Sequence, residues 1–435
     1  THMAEKIPDP NELPPMDQHA LDEAMEKHAM YLRGQTGGAR CVLKYRNLSF
    51  LNFKARDLSQ ADFTGSLLIE TDLSHGTFVS STFFACDLRN ANLREANFSR
   101  SDFRGAYVAG ANLTGADMVD VDLREGKIMK RGEKGELIDR VRSGGSGSKT
   151  IFTGSRLAET NMSGAQAKSA DFSDADLSGI ILQGADLGGA NFHGANLADA
   201  DLTGSNLAFA NMRSSIISGA ILDGVEKQGI IMENVITDED MGAKLESLGK
   251  SLQELLEEHT LWVATAGRTG RQLDLSGYDL RDVLDLRKFP FTALQAVGAN
   301  FLNQDLRNAQ LQSGNFDRSD FRDCRMHEAD LRGSSFKYGL FTRADLTNAK
   351  LNALVFKNPD GSKRKQRVDL SGASLRYASL RHADLRDCVL MGVDLTNAVL
   401  TGADLRRADL TGAILKGAVF EHCNLQDAVI DLKAL

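Results

Sequence analysis

Large aromatic side chains are scarce in this sequence. Tryptophan occurs once, and Phe, Tyr and Trp together make up 6% of 435 residues, which excludes a core built mainly on rings. Gly and Ala are plentiful instead, which suits a core of small and medium side chains. Proline is equally rare, and four of the six fall within residues 4–16. No run approaches the roughly 18 apolar residues of a helical membrane span. A basic excess is absent: the net charge is −8, which argues against a generic nucleic-acid binder. Five cysteines make an odd number for a disulfide framework, and no CxxC or Cys/His spacing suggests a metal. Met3-Ala-Glu-Lys-Ile-Pro-Asp-Pro lacks the basic and apolar regions of a signal peptide, so the expected location is cytoplasmic, with Thr1-His2 read as a cloning remnant.

What the sequence has is a beat of five residues. Ala91-Asn-Leu-Arg-Glu, Ala96-Asn-Phe-Ser-Arg and Ser101-Asp-Phe show it: a small residue, Asn or Asp, Leu or Phe, then two variable and mostly polar residues. Counted on the Leu/Phe centre, it runs without a skipped step from Leu43 to Leu123, 17 units. It runs again from Phe152 to Leu222, 15 units, and resumes at Leu275 and Leu280. There it slips by one residue to Leu286 and continues to Phe356, another 17, before a last run of 13 from Leu370 to Ile430. Cys41, Cys86, Cys324, Cys388 and Cys423 all stand at the small first position, which predicts buried, reduced thiols acting as small hydrophobes.

A period of five matches neither the helix nor the flat strand. Two inward positions in five, with turn-forming Asn, Asp and Gly between them, require a chain that bends at every unit. Phenylalanines add a longer period. Phe63, Phe83 and Phe103 are spaced by 20, as are Phe152, Phe172 and Phe192, then Phe301, Phe321 and Phe341, then Phe316, Phe336 and Phe356. Rings 20 apart stack if each coil holds four units, which describes a four-sided solenoid whose coils bury their core only against neighbours.

The pattern resembles the pentapeptide-repeat family, whose A(D/N)LXX motif these units match over about seven-tenths of the chain. The resemblance implies an all-β solenoid, a right-handed quadrilateral β-helix with the Leu/Phe and the preceding small residue inside. A rigid rod with duplicated helices and duplicated hairpins, set out below, leads to the expectation of a non-enzymatic interaction scaffold with an unknown protein partner. An alternative is DNA mimicry toward a DNA-binding enzyme such as DNA gyrase, which some members inhibit or protect, often as end-to-end dimers. No catalytic, cofactor or metal site is implied, and direct nucleic-acid binding is not expected.

The rest of the chain divides accordingly. Residues 1–16 read as a flexible arm. Residues 17–33 read as a helix, with Leu21, Met25, His28 and Leu32 on one face, Asp17 at its start and Gly34 past its end. A second helix is expected over 238–264, and its end copies the first: Leu252 to Val263 aligns with Leu21 to Leu32 without gaps, pairing His28 with His259 and Tyr31 with Trp262. Both helices are expected to cap an open coil end, since such ends expose unpaired backbone. Two interruptions carry hairpin signals: 124–150 with Arg131-Gly-Glu-Lys-Gly135, and 357–367 with Asn358-Pro-Asp-Gly361. The chain therefore reads as two related halves, 17–236 and 237–435, each helix, run, basic hairpin, run.

Three candidate surfaces follow. The hairpins contribute Lys130, Arg131 and Lys134, and Lys363, Arg364, Lys365 and Arg367, which suit an acidic protein, nucleotide or phosphate. Residues 151–240 hold 13 acids against 4 Lys/Arg, and Asp176, Asp186 and Asp201 would line an acidic outer face. The helix–coil junctions offer His28, Tyr31, His259 and Trp262, read first as structural and second as a ligand site. The many other Asp residues read as turn chemistry rather than acid/base pairs, because they recur at every unit. The Gly-rich Gly144-Gly-Ser-Gly147 lacks the GxxxxGK(S/T) pattern of a phosphate loop and reads as a linker.

Overall fold

A computed structural model describes residues 9, 11–131, 133–134, 137–139 and 148–434, with the backbone alone for 130, 131 and 137–139. The five-residue beat closes into a coil. Val42 bridges Asp62, Asn47 bridges Leu67, Asn52 bridges Asp72 and Asp57 bridges Thr77, all in parallel, each partner standing four units further along the chain. Four units thus complete one turn and leave four ladders of short bridges, one per side.

Each unit bends for a local reason. In Asp62-Phe-Thr-Gly-Ser66 the Ser66 N–H donates to Phe63 O at 3.0 Å, closing a tight turn. Gly65, the last residue of its unit, takes φ +70°, and the same place is held left-handed by Tyr45 at +53° and Phe50 at +67°. Such turns favour Gly or Asn there, so an array of side chains in that state stands only because the coil around it over-determines the backbone. The Asp or Asn of the unit supports the turn, as when Asp62 Oδ1 accepts the Thr64 N–H at 3.0 Å. Coil joins coil through the backbone, for example Phe63 N–H to Thr82 O at 2.8 Å.

The small first position and the Leu/Phe centre fill the interior, where Ala61, Phe63, Ala111 and Leu113 are fully buried. The rings stack in columns. Phe63–Phe83 and Phe83–Phe103 centroids lie 5.1 and 4.8 Å apart, Phe152–Phe172 and Phe172–Phe192 at 5.4 and 5.2 Å, and Phe301–Phe321 and Phe321–Phe341 at 4.7 and 5.0 Å. A further pair, Phe78–Phe98, stacks at 5.1 Å beside the first column. Cys41, Cys86, Cys324 and Cys388 are buried free thiols, whereas Cys423, in the last coil, is half-buried.

The chain forms two compact units, Thr1–Asp238 and Glu239–Leu435, each with its own apolar core. In the first, helix α1 (Gln18–Leu32) starts where Asp17 accepts the Ala20 N–H at 2.8 Å, and it turns Leu21, Met25 and His28 inward. The expected flexible arm needs correction. Of residues 1–16, 1–8 and 10 lie outside the described residues, but 14–16 join the ladder. Pro15 bridges Asn47, Asn47 N–H donates to Pro14 O at 2.9 Å, and Leu13 is buried. Proline suits such an edge because its missing N–H is not needed there. The coil also runs further than the beat suggests: Glu226, Ile231 and Ile236 still bridge the coil before them, although Lys227 and Met232 replace the usual Leu or Phe.

Both interruptions are spliced into the ladder without disturbing it. Tyr107 bridges Ile151, an offset of 44 rather than 20, so the first interruption is looped out between two neighbouring rungs. Within it strand β1 (Met129–Arg131) pairs antiparallel with β2 (Leu137–Asp139). Ser335 bridges Asp369, an offset of 34, so the second is looped out in the same way. There β3 (Leu354–Lys357) pairs antiparallel with β4 (Lys363–Gln366).

In the second unit the expected helix over 238–264 is shorter. Helix α2 covers Leu252–Ala264, with Ser251 capping it through the Glu254 N–H at 3.2 Å. The preceding segment is not one continuous helix: it holds two short 3₁₀ turns, Asp238–Asp240 and Leu245–Leu248, broken where Gly242 sits at φ +114° and Gly249 at +74°, and Ala243 bridges Tyr278. The one-residue slip near Leu286 is a real extra residue: Asp274 bridges Gln295 and Asp279 bridges Asn300, both 21 apart. Asp285 absorbs it at φ +53° and a single 3₁₀ turn, Leu286–Lys288, returns Leu286 to the core. Phe356 is the last correction. Phe316 and Phe336 stack at 5.2 Å, but Phe356 leaves the column for β3 and is 38% exposed.

Candidate interaction surfaces at the helix junctions and the second hairpin

The two histidines singled out by the duplicated helices occupy equivalent positions. His28 Nδ1 accepts the Cys41 N–H at 2.8 Å, and Nε2 meets Ser59 O at 2.9 Å. His259 Nδ1 accepts the Leu273 N–H at 2.9 Å, and Nε2 meets Thr292 O at 2.8 Å. A ring nitrogen that accepts a backbone N–H carries no proton, so each ring is the neutral Nε2–H tautomer. Both rings are buried, and burial pushes the His28 pKa below its ordinary value. Tyr31 lies 5.7 Å from the His28 ring and Trp262 stacks at 5.9 Å on His259. With both nitrogens committed to backbone, neither imidazole is open to a substrate or metal; each ties its helix to the first coil.

The second hairpin is built from its turn outward. Asn358 O accepts the Gly361 N–H at 2.9 Å, Gly361 takes φ +85°, and Asp360 Oδ1 accepts the Ser362 N–H at 2.8 Å. The register pairs Leu354 with Gln366, Val355 with Lys365, Phe356 with Arg364 and Lys357 with Lys363. Opposite residues share a face, so the hairpin has two distinct sides. One side holds Leu354, Phe356, Arg364 and Gln366. Gln366 Nε2 donates to Gly333 O at 2.6 Å, and the Arg364 guanidinium lies 5.1 Å above the Phe356 ring. The other side holds Val355, Lys357, Lys363 and Lys365, all exposed. Lys365 Nζ reaches Asp387 at 3.4 Å, a carboxylate shared with Arg407, and Arg367 Nε donates to Asp387 O at 2.6 Å. Two of the four cations expected to face a partner therefore brace the hairpin against the coil. In the first hairpin Lys130 and Arg131 lie on β1 and Lys134 is exposed in the turn region.

The three aspartates of the expected acidic face do not share one. Asp176 stands in the ladder of Arg156 and Asn196, Asp186 in that of Gln166 and Asn206, and Asp201 in that of Ile181 and Ile221. Each also serves its own turn: Oδ1 of Asp176, Asp186 and Asp201 accepts the N–H of Ser178, Gly188 and Thr203 at 3.1, 3.1 and 3.0 Å. No group of three or more His, Cys, Asp or Glu among the described residues could hold a metal ion. None of the described helices is long and apolar enough to cross a membrane.

Comparison with known proteins gives eight matches to the family model described as pentapeptide repeats, over residues 47–83, 81–124, 148–184, 185–224, 291–323, 324–358, 366–390 and 388–427. The chain belongs to the pentapeptide repeat family. No curated protein sequence matches it. Among solved structures it is similar to HetL, a pentapeptide repeat protein involved in heterocyst differentiation regulation from the cyanobacterium Nostoc, at 17% identity over 95% of this chain and 96% of HetL, TM-score 0.20. It is also similar to QnrB1, a plasmid-mediated fluoroquinolone resistance protein, at 18% identity over 49% of this chain and 99% of QnrB1, TM-score 0.26. A pentapeptide repeat protein of the Arabidopsis thaliana thylakoid lumen matches at 28% identity over 29% of this chain and 70% of its own, TM-score 0.18.

The sequence pattern locates the second hairpin of this pentapeptide repeat protein but misses part of its surface. The beat keeps Val355 and Phe356 in the core run and starts the hairpin only at Lys357. The turn signal at Asn358-Pro-Asp-Gly361 points the right way but not to the register: counting outward from it pairs Lys357 with Ser362, whereas the loop closes one residue wider, with Asn358 N–H on Ser362 O, and pairs Lys357 with Lys363.

Proposed function

We propose that this pentapeptide repeat protein is a non-enzymatic protein-interaction scaffold acting in the cytoplasm. In this reading each half is a right-handed quadrilateral β-helix, α1 and α2 close the starting ends of their coils, and the hairpins carry the contacts. One observation supports it above the others: the second hairpin projects exposed Val355, Lys357 and Lys363 from a coil whose ladder continues undisturbed on either side. The commitment of both helix histidines to backbone speaks for structure rather than catalysis there. Five unpaired thiols fit a reducing compartment. DNA mimicry draws on the acidic balance of residues 151–240, but it would need carboxylates aligned along one side, and Asp176, Asp186 and Asp201 occupy three ladders.

The test is a deletion that the ladder itself designs. Removing residues 354–367 brings Ser335 and Asp369 back to the regular spacing of the other rungs, so the coil should close across the gap. The parent chain and the deletion variant, each immobilised, are compared for proteins captured from host lysate. Selective loss of partners by a folded variant is expected. An unchanged partner set would remove the hairpin from the function, and inhibition of gyrase supercoiling by the parent chain would favour the mimic.

A further inference from the structure

The outward side of the second hairpin carries an arrangement that folding alone does not explain. Lys357 and Lys363 are directly opposed across the two strands, with Lys365 two residues further along on the same side. Like charges opposed across an antiparallel pair destabilise it. Several arginines are answered locally: Arg307, Arg322, Arg332, Arg386 and Arg406 each fork onto the aspartate two residues earlier. Lys357 and Lys363 have no ion pair among the described residues, and both are exposed. Asp360, the acid of the turn, is turned back onto Ser362 N–H and Oγ.

We propose that this side of the hairpin binds an acidic peptide segment of a partner protein, with Lys357 and Lys363 taking its carboxylates and Val355 packing against its backbone and methylenes. The proposal rests on the scaffold reading and adds the chemistry of the partner. Charge complementarity selects an anion. A nucleic acid is disfavoured because the one ring on the hairpin, Phe356, lies on the opposite side beneath Arg364, leaving nothing for a base to stack on. The chain's net charge of −8 would further repel a long polyanion, while a short acidic segment meets only the local field.

The probe is fluorescein-labelled hexaglutamate, titrated with the full chain and read by fluorescence anisotropy at 50 and 300 mM NaCl, with labelled dT12 as the competing polyanion. Hexaglutamate is expected to bind at low salt and to weaken at least tenfold at high salt. The double variant Lys357→Gln/Lys363→Gln should weaken binding at least tenfold while its thermal midpoint stays equal to or above the parent's, because the substitution also removes repulsion. Arg364→Gln, on the far side, should bind as the parent does. Hexaglutamate binding that survives the double substitution, absent binding below 1 mM at 50 mM NaCl, or equal affinity for dT12 would each overturn the proposal. If hexaglutamate fails while deletion of 354–367 still loses lysate partners, the acidic assignment falls and the scaffold reading stands.

Discussion

Replacing His28 with Ala should destabilise the first unit while leaving its charge pattern intact. The ring joins α1 to two points of the first coil, accepting from Cys41 N–H at 2.8 Å and meeting Ser59 O at 2.9 Å, and it is fully buried. Truncation leaves a backbone donor and a backbone acceptor without partners in an apolar setting. Each costs about 1–3 kcal/mol, so the expected loss is about 2–6 kcal/mol. The same ring gives stability a pH dependence. Burial lowers the folded pKa, whereas the unfolded chain titrates near the ordinary value of about 6.5. Below that value the unfolded state binds the extra proton first, so the contribution is whole above about pH 6.5 and is lost as pH falls through the folded pKa. Urea unfolding followed by circular dichroism at pH 7.5 and 5.5 measures both effects. Parent stability should fall toward pH 5.5, with a smaller fall in the variant. A loss at pH 7.5 of no more than about 0.5 kcal/mol, the size of an ordinary surface substitution, would refute the structural role of the histidine and revive a ligand-binding one.

Other outcomes follow from the same geometry. Phe321→Ala removes a fully buried ring stacked at 4.7 and 5.0 Å between Phe301 and Phe341, and should cost about 3–5 kcal/mol by denaturant titration of the second unit. A loss below about 1.5 kcal/mol would mean the column collapses onto the vacated space and repacks. Burial raises the thiol pKa values of Cys86, Cys324 and Cys388, so iodoacetamide on the folded protein should leave them unmodified and reach half-buried Cys423 first; early labelling of Cys86, read by peptide mass, would contradict the packing. The Arg307 fork, helped by Arg287, holds the Asp305 carboxyl at about 2. Its contribution should be present above the ordinary carboxylate range and disappear as pH falls toward 2, and a carbon-detected NMR titration midpoint near 3.8 would refute the fork.

The coil was legible because its physics repeats. An inward pair in every five residues and rings every 20 fix four units per turn, and the single slip before Leu286 reappears as bridges 21 apart. What escaped the reading lies where composition and position part company. Phe356 keeps the beat in sequence, yet cross-strand pairing with Arg364 takes it into a hairpin. Lys227 and Met232 break the beat, yet backbone bonds carry the coil through them to Ile236. Residues 11–16 look like a proline-rich tail, yet Asn47 holds it from both sides, its N–H donating to Pro14 O and its carbonyl accepting the Met16 N–H, so neither proline needs a donor. In each case an unpaired backbone edge outweighed the side-chain signal. The hairpin's basic character was legible too, but its division into cations that brace it, Lys365 and Arg367, and the opposed pair Lys357 and Lys363 required the register and the contacts.

The two spliced segments have a practical consequence. Because Tyr107 finds Ile151 and Ser335 finds Asp369 in the same ladders they would otherwise have continued, the corner where a coil is interrupted does not sense how much chain lies outside it. Lengthening a loop already closed at both ends adds only about 0.6 kcal/mol per doubling. A lineage could therefore enlarge, exchange or erase either excursion while every rung beneath stays in place, which makes the corner after Ala353 a natural graft point for foreign peptides of arbitrary length.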